Sequence, residues 1–528
     1  MKFILTFVLI LSALLSYSQG NADILIKNGR ILDGTGNSWF YADVAISRGK
    51  ILKIGNVTNI TAAKTIDANN LIVAPGFIDV HTHIEGDELK NPTADNFIYD
   101  GVTTVVTGNC GSSNVDIKKY LSQIDSIKLS INVATLVGHN DVRSSVMGNA
   151  NRKPTEDEME KMQALVEDAM KSGAVGFSTG LQYIPGAYAD VEEVVRLAKA
   201  SAKYNGVYTS HIRDEGDSVL KAIEEALYIG REAKIPVEIS HFKVSGQQNW
   251  GRSKETLPLI INARNEGLEV TIDQYPYTAA STGLSILLPD AVLADGPDSI
   301  KARLVRADIK KQVINHLLGR LKKRKLKHWS YAVVAYHGAD TTYNGKSIEE
   351  INLMKGRKHK AEYEAETIID LMLAGGASMV YHGMSEDDVK RIMKYPFNMF
   401  ASDGSIRVFG EGVPHPRSFG TNARVLGKYV REEKVLTLEE TVRRMTSLPA
   451  QKFQLNDRGL LREGYAADIV IFDEKEVKDM STYERPHAYS KGFKYVIVNG
   501  QLVLEKEKHL GTRSGKALYG TGSRFFGL

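Results

Sequence analysis

The chain contains almost no cysteine and little net charge. Cys110 is the single cysteine among 528 residues, which excludes an internal disulfide. The 67 lysines and arginines nearly balance the 63 aspartates and glutamates, and no long basic block is present. Nucleic acid and anionic membranes are therefore unpromising partners. A composition of 43% hydrophobic and 25% charged residues excludes whole-chain disorder, collagen and coiled coil.

The apolar run at the amino end is too short to cross a membrane. Lys2 precedes apolar residues 3–15, and small and polar residues follow as far as Gly20. A charged start with a short apolar core predicts a signal peptide over residues 1–20. A spanning helix needs about 20 apolar residues, so an uncleaved anchor is the weaker alternative. We therefore expect a periplasmic or secreted protein with no stable membrane insertion after signal removal.

Both ends of the remaining chain read as short strands separated by tight turns. Alternating runs fill residues 21–74, and similar runs fill 458–505, where Asn499-Gly500 is a strong hairpin signal. We predict that these two segments build one small β-sandwich around a central domain at 75–457. The segment 506–528 is rich in glycine and serine and is predicted to be a flexible tail.

The central segment alternates apolar strands with helical stretches, which predicts a parallel sheet with helical crossovers. Polar side chains end successive strand-like runs about 30 residues apart, with one double interval. An eight-unit (β/α)8 TIM-type barrel needs about 31 residues per unit, and its strand ends share one mouth. A doubly wound open sheet explains so many strand-end residues less well. The residues in question are His83, Cys110, His139, His211, His241 and Tyr275.

The regular spacing stops after Tyr275 and resumes at Asp403. We interpret residues 284–360 as an insertion near the entrance to the site. Its basic stretch at 309–327 is predicted to be a solvated helix face, with a binding patch as the less favoured alternative.

The most specific motif is His81-Thr82-His83 at the end of an apolar strand. Side chains alternate along a strand, so both imidazoles face the same side and can reach one ion. The acidic residues Glu85 and Asp87 follow closely. On its own, a His-x-His pair could equally be structural or exposed.

Two further histidines and one aspartate end apolar runs. His211 and His241 lie one barrel unit apart, and imidazole nitrogens suit zinc. Asp403 ends the last strand and could bind a metal weakly, accept a proton from water, or act as a turn residue before Gly404. Cys110 could be a small buried hydrophobe, but a thiolate ligand is favoured because coordination would protect the thiol.

Taken together, these residues resemble the amidohydrolase superfamily of metal-dependent barrels, from about residue 23 to 503. Within it the chain is similar to the D-aminoacylases, also called N-acyl-D-amino-acid deacylases. Cys110 distinguishes this family from the related hydantoinases and dihydroorotases, which use a carboxylated lysine instead. The supporting strings are Pro-Gly-Phe-Ile-Asp-Val-His-Thr-His at 75–83, Thr-Gly-Asn-Cys-Gly at 107–111, Val-Gly-His at 137–139, Ser-Thr-Gly-Leu-Gln-Tyr at 178–183, Ser-His-Phe-Lys at 240–243, Asp-Gln-Tyr-Pro-Tyr at 273–277, Ser-Asp-Gly at 402–404 and His-Pro-Arg at 415–417.

The resemblance implies a zinc cofactor and a ligand set. Cys110, His211 and His241 would hold one tight zinc ion. His81 and His83 would form a second site that is weak or empty.

The resemblance also implies substrate contacts. Lys243, Tyr275 and Arg417 match positions that hold the substrate carboxylate, and a bidentate arginine suits that group. Tyr183 and Ser281 match positions that contact the substrate or polarise its carbonyl. The loop at 405–414 departs from the family pattern, so the resemblance does not predict which substrate side chain is preferred. The oligomeric state is also left open.

The implied reaction is hydrolysis of the amide bond of an N-acyl-D-amino acid, a small-molecule substrate. Zinc lowers the pKa of water, and Asp403 acts as general base and returns the proton to the leaving amine. D-specificity rests on the resemblance alone. The alternatives are another amidohydrolase, such as a D-dipeptidase or a cyclic amide hydrolase, and a noncatalytic binding protein that kept the fold.

Overall fold

The structure is a computed structural model that describes residues 21–524. The predicted signal peptide at 1–20 and the last four residues of the predicted tail lie outside the described residues. Within residues 21–524, no helix is both long enough and apolar enough to cross a membrane.

The two ends of the described chain share one nine-stranded sheet. Strand Ile72–Pro75 pairs antiparallel with Ile469–Phe472 and so joins the amino-terminal strands to the carboxy-terminal ones. Asn21–Ile31 pairs with three other strands and links them into this sheet. Its strands are Asn21–Ile31, Phe40–Ser47, Lys50–Gly55, Thr61–Asp67, Ile72–Pro75, Ile469–Phe472, Phe493–Val498, Gln501–Glu505 and Lys508–His509.

Branched and aliphatic side chains from both ends of the chain form the buried core of this domain, including Ile26, Val44, Ile469 and Ile497. Burial of such side chains contributes roughly 1.5–3 kcal/mol each. The two segments therefore depend on each other for a common core, although more than 390 residues separate them in the chain.

The central domain contains eight parallel strands in barrel order. The third strand is interrupted at Leu136, where the hydrogen-bonded sheet divides into two parts. The ends of the ring meet where the His83 amide donates to the Gly404 carbonyl at 2.7 Å, and the Asp403 amide donates to the His81 carbonyl at 2.9 Å. The predicted (β/α)8 fold is confirmed. In order, the barrel strands are Phe77–Asp79, Val102–Thr107, Asn132–Thr135 with Val137–Gly138, Gly176–Gly180, Val207–His211, Val237–Ile239, Val270–Gln274 and Asn398–Phe400.

Amphipathic helices cover the outside of the barrel and bury one face against it. Helix Glu156–Lys171 begins with a capping box in which Thr155 and Glu158 satisfy each other's backbone amides. The α-helices around the barrel are Asp95–Ile98, Ile117–Ile127, His139–Met147, Glu156–Lys171, Val191–Ala202, Val219–Ala233, Ser253–Asn265, Glu386–Met393, Arg417–Arg424, Leu438–Met445, Ser447–Lys452 and Thr521–Arg524. A π-helix, Val425–Glu432, and two 3₁₀ turns, Gly186–Tyr188 and Gln247–Asn249, complete them.

A subdomain is inserted between the seventh and eighth barrel strands. It is wider than the predicted 284–360, because its outer strands Ala279–Gly283 and Ser378–His382 pair with each other and close it. It has its own apolar core, which includes the buried Trp329. Its elements are strands Ala279–Gly283, Ala332–Tyr336 and Ser378–His382, helices Asp290–Leu293, Pro297–Leu304, Ala307–Lys323, Ile348–Met354 and Ala361–Leu373, and 3₁₀ turns Leu284–Leu287 and Thr341–Tyr343.

The described part of the carboxy-terminal segment lies against the barrel, whereas we predicted a flexible tail. The Gly515 amide donates to the Leu129 carbonyl, and the Leu518 amide donates to Val133, each at 2.8 Å. Gly515 fits because a Cβ there would lie 2.0 Å from the Ile131 carbonyl oxygen. Glycine in this segment permits close backbone approach, whereas the glycine and serine content was interpreted as a sign of mobility.

Candidate active site and metal centre

The Cys110 sulfur lies at the centre of a cluster of imidazole nitrogens at the carboxyl ends of the barrel strands. His81 Nε2 is 3.3 Å from Sγ, and His211 Nδ1 and His241 Nε2 are each 3.6 Å from it. The nitrogens of His211 and His241 are only 2.7 Å apart. Cys110 is 8% exposed, and the three imidazoles are buried more deeply still. Four side chains from separate strands therefore converge on one point.

Each of these imidazoles is oriented by a polar partner on its other nitrogen. His81 Nδ1 contacts Asp273 at 3.1 Å, His211 Nε2 contacts Gln182 at 2.8 Å, and His241 Nδ1 contacts Glu215 at 3.0 Å. In each ring this contact leaves the opposite nitrogen facing Cys110. Such partners typically fix the tautomer and ring orientation of metal-binding histidines.

These three partners were missed by the sequence analysis. Asp273 lies on the seventh strand, inside a string that was singled out for Tyr275 only. Gln182 and Glu215 follow the fourth and fifth strands by a few residues. Their position at the same rim of the barrel is the signal that could have identified them.

The Cys110 thiol is held in an environment that favours the thiolate. Burial by itself raises the pKa of the thiol, but the charge of His81 and hydrogen bonds from His211 and His241 lower that pKa well below its ordinary value. The thiolate is the form that binds metals. A metal ion would take the place of the protons that the imidazoles direct at the sulfur.

Three residues of the cluster adopt backbone conformations that are unusual for side chains larger than glycine. The φ angles are 53° at Cys110, 36° at His241 and 49° at Asp403. Positive φ at non-glycine residues costs free energy and concentrates at functional sites, where the surrounding structure enforces it. Each residue directly follows, or lies close behind, a barrel strand, so the turn aims its side chain into the mouth.

Asp403 lies beside the second pair of histidines. Its Oδ1 is 3.3 Å from His83 Nε2 and 3.7 Å from His81 Nε2, and its Oδ2 is 2.7 Å from Arg417 Nη1. Burial raises the pKa of Asp403, but the charges of Arg417 and His81 and the hydrogen bond from His83 hold it well below its ordinary value. Asp403 is therefore ionised and within reach of the histidine cluster.

The cluster offers three overlapping sets of metal ligands, one of which is His81, His241 and Asp403. Cys110 belongs to the other two sets, with His211 and His241 in one and with His81 and His83 in the other, and the donor atoms of each set lie within 4.8 Å of one another. Thiolate and imidazole together suit zinc. The donor chemistry of this site thus fits zinc.

His139 ends a barrel strand but does not join the cluster. It begins helix His139–Met147, and its Nε2 lies 2.9 Å from Glu193. Arg143 contacts the same carboxylate at 3.0 Å. The three residues form a buried polar network on the outer side of the strands. The spacing of strand ends in the sequence does not distinguish this histidine from those of the cluster.

The predicted carboxylate-binding residues surround one aromatic ring. Tyr275 lies between Arg417, whose Cζ is 4.7 Å from the ring centroid, and Lys243, whose Nζ is 5.6 Å away. Lys243 also pairs with Glu215 at 2.5 Å, so much of its charge is already balanced. Among the described residues, the buried Tyr275 hydroxyl has no hydrogen-bond partner.

Tyr183 and Ser281 both line the same cavity. The Tyr183 ring centroid is 4.6 Å from that of His211, and its hydroxyl is 3.1 Å from Thr282 Oγ1. The Ser281 carbonyl accepts a hydrogen bond from Arg417 Nη2 at 3.3 Å. The structure thus brings both predicted residues to the cavity, one from the barrel and one from the inserted subdomain.

The cavity has a volume of about 1220 Å³ and opens at the carboxyl end of the barrel, under the inserted subdomain. One wall is formed by the basic helix that was predicted to be a solvated face. His316, Arg320, Lys323 and Arg324 line the cavity instead. This wall brings positive charge to the route by which a substrate enters.

The comparisons with known proteins agree with this geometry. The sequence pattern of the amidohydrolase family matches residues 64–294 and 322–504. A D-aminoacylase of Alcaligenes xylosoxydans xylosoxydans is 35% identical over 524 residues, which cover 95% of this chain and 98% of that protein.

Two solved structures share the fold across almost the whole chain. One is an N-acyl-D-glutamate deacylase from Bordetella bronchiseptica in complex with zinc and a phosphonate inhibitor that mimics the tetrahedral intermediate of its reaction. Its TM-score is 0.81 at 35% identity, and the match covers 94% of this chain and 100% of that one. The other is a D-aminoacylase with a binuclear metal centre, in which one metal activates and the second attenuates. Its TM-score is 0.81 at 34% identity, with the same coverage.

The orienting role of Asp273 can be tested by Asp273→Asn. An amide can accept only one of the two hydrogen bonds that Asp273 takes, from His81 Nδ1 and from the His241 backbone amide. We expect zinc affinity to fall by about 10–100-fold, as for other partners of metal-binding histidines. Competition with a chromogenic chelator measures this. Asp168→Asn, on an exposed helix surface, is the control and should bind zinc as the wild type does; equal affinity in both variants would refute the assignment.

Proposed function

This chain belongs to the amidohydrolase family, and we propose that it hydrolyses the amide bond of N-acyl-D-amino acids to give a carboxylate and a free D-amino acid. The observation that carries the proposal is the convergence of Cys110 and three oriented imidazoles beside the ionised Asp403. Two relatives of this chain that share its fold act as D-aminoacylase and N-acyl-D-glutamate deacylase. The cofactor is zinc.

Cys110, His211 and His241 would hold zinc in the tight site, and His81 and His83 beside Cys110 would form a second, weaker site. Zinc in such a site supplies a Lewis acid for a carbonyl oxygen and lowers the pKa of water. The chain's contribution is a buried thiolate, oriented imidazoles and a cavity wall that separates the amide from bulk water. No further ligand is needed from the inserted subdomain.

Asp403 is the proton carrier. Its low pKa keeps it ionised before the reaction, so it can accept the proton of the attacking water. The amine is a poor leaving group until it is protonated, and Asp403 can deliver that proton to the amide nitrogen. Its neighbours His83 and Arg417 keep the carboxylate at the mouth of the metal site.

The substrate carboxylate binds between Arg417 and the Tyr275 hydroxyl. Arg417 has five N–H donors, and its described contacts are the close ionic contact with Asp403 and the hydrogen bond to the Ser281 carbonyl. Burial raises the pKa of Tyr275 well above its ordinary value, so its hydroxyl stays protonated and can donate. Lys243 adds positive charge that Glu215 partly balances. Tyr183 and Ser281 contact the acyl side of the amide.

The reaction itself is tested by incubating the zinc-loaded protein with N-acetyl-D-amino acids, their L-enantiomers, hydantoins and D-dipeptides. We expect release of free D-amino acid from the D-series, with the L-series and hydantoins hydrolysed far more slowly. Chromatography on a chiral column measures the products. Preferential cleavage of hydantoins or dipeptides would assign the chain to another amidohydrolase activity.

The general base is tested by Asp403→Asn. Loss of proton transfer should lower kcat on the order of 10²–10⁴-fold, while Cys110, His211 and His241 keep zinc in place. Elemental analysis of the same preparation shows whether the metal is retained. Substantial turnover by the zinc-loaded variant would refute the assignment of Asp403.

The carboxylate site is tested by Tyr275→Phe. Loss of a hydrogen bond to a charged group should raise KM by roughly 10-fold or more and change kcat less, because the bond is made in the ground state as well as the transition state. Tyr395→Phe is the matched control, since this hydroxyl is also buried without a described partner but lies away from the cavity. A KM equal in both variants would exclude Tyr275 from substrate binding.

We also propose that the chain is exported to the periplasm or outside the cell. The support is the charged and apolar start of the sequence at residues 2–15. Amino-terminal sequencing of the protein from its native host should find cleavage between Ser18 and Ala22. A mature protein that retains Lys2 and the apolar run would contradict export by a cleaved signal.

A further inference from the structure

A second group of metal-binding side chains lies in the inserted subdomain. It consists of His328, Glu349, His359 and Glu364, whose donor atoms all lie within 4.8 Å of one another. These four residues are not among the described residues that line the catalytic cavity. We propose that these residues form a structural binding site for a zinc-type divalent cation, separate from the catalytic centre.

The distances between donors fit one small ion. His328 Nδ1 lies 2.6 Å from Glu364 Oε1 and 3.9 Å from Glu349 Oε1, and His359 Nε2 lies 2.5 Å from Glu349 Oε1. Zinc bonds of about 2.0–2.2 Å in a tetrahedron place donors roughly 3.3 Å apart. The observed separations bracket that value, so small side-chain rotations bring all four donors to a common centre.

The chemistry of the donors also points to a cation. The imidazole rings of His328 and His359 stack with centroids 4.1 Å apart and planes at 23°. Glu349 and Glu364 supply two negative charges, which balance a divalent ion. Two imidazoles and two carboxylates form a ligand set that zinc accepts.

The site would connect four separate segments of the subdomain. His328 lies in the loop after helix Ala307–Lys323, Glu349 lies on helix Ile348–Met354, His359 lies in the next loop, and Glu364 lies on helix Ala361–Leu373. Four protein ligands leave no open position, which is typical of structural rather than catalytic zinc.

Glu364 shows that the arrangement is built into the fold. Its side chain is fully buried, and its Oε2 accepts a hydrogen bond from the Trp329 backbone amide at 2.7 Å. This bond fixes the carboxylate so that Oε1 faces His328. A buried carboxylate needs polar partners, and a bound cation would join His328 and the Trp329 amide around this one.

The site can be tested with zinc alone as the probe. We expect the wild type to bind one more tight zinc equivalent than His359→Ala, measured by chelator competition on metal-depleted protein. Glu362→Gln is the matched control, because Glu362 is an exposed neighbour on the same helix as Glu364. It should bind as many equivalents as the wild type. Glu349→Gln provides a second variant if His359→Ala does not fold, and it should also lose one equivalent.

Location is tested by anomalous scattering at the zinc edge from crystals grown with zinc chloride. A peak between His328 Nδ1 and His359 Nε2 in the wild type and in Glu362→Gln, absent from His359→Ala, is the expected result. Equal zinc stoichiometry in the wild type and both ligand variants, or no peak at this position at saturating zinc, would overturn the proposal. Catalytic turnover does not enter either measurement, so its outcome is independent of the proposed reaction.

Discussion

The active site is centred on a single sulfur atom, which lies within 3.3–3.6 Å of three imidazole nitrogens. These nitrogens come from the first, fifth and sixth strands, so the contact exists only when the ring of strands is formed. The backbone contacts between the His81 and Asp403 segments close that ring at the same place. The segments that close the barrel therefore also carry residues of the site. The surrounding strands enforce the positive φ angles at Cys110 and His241.

The inserted subdomain completes the cavity without supplying metal ligands to it. Its outer strands carry Ser281 and Thr282 into the mouth, and its basic helix adds a cationic wall. It has an apolar core of its own, separate from that of the barrel. The rigid strand ends thus hold the reactive groups, while a separately packed element shapes the space in which a substrate lies. Such a division lets substrate preference vary without disturbing the metal centre.

The sequence predicted the parts of the site that follow apolar strands. Cys110, His211, His241 and Asp403 each lie at or just behind a strand end, and strand periodicity is readable from the chain. Asp273, Gln182 and Glu215 were missed because their role is to contact one particular nitrogen of a histidine ring. Only the folded geometry shows that contact. The subdomain was predicted too narrow because its closing strands are almost 100 residues apart in the chain. The carboxy-terminal segment was interpreted as mobile because its glycines suggested flexibility. The sequence alone does not distinguish such glycines from those that permit close backbone packing.

X-ray absorption at the zinc edge tests the central claim most directly, because Cys110 is the sole cysteine and any thiolate scattering must come from it. The protein would be loaded with a single tight equivalent of zinc. The account predicts one sulfur neighbour at about 2.3 Å together with nitrogen neighbours at about 2.0–2.1 Å. A first shell of nitrogen and oxygen alone, in catalytically active protein, would contradict it.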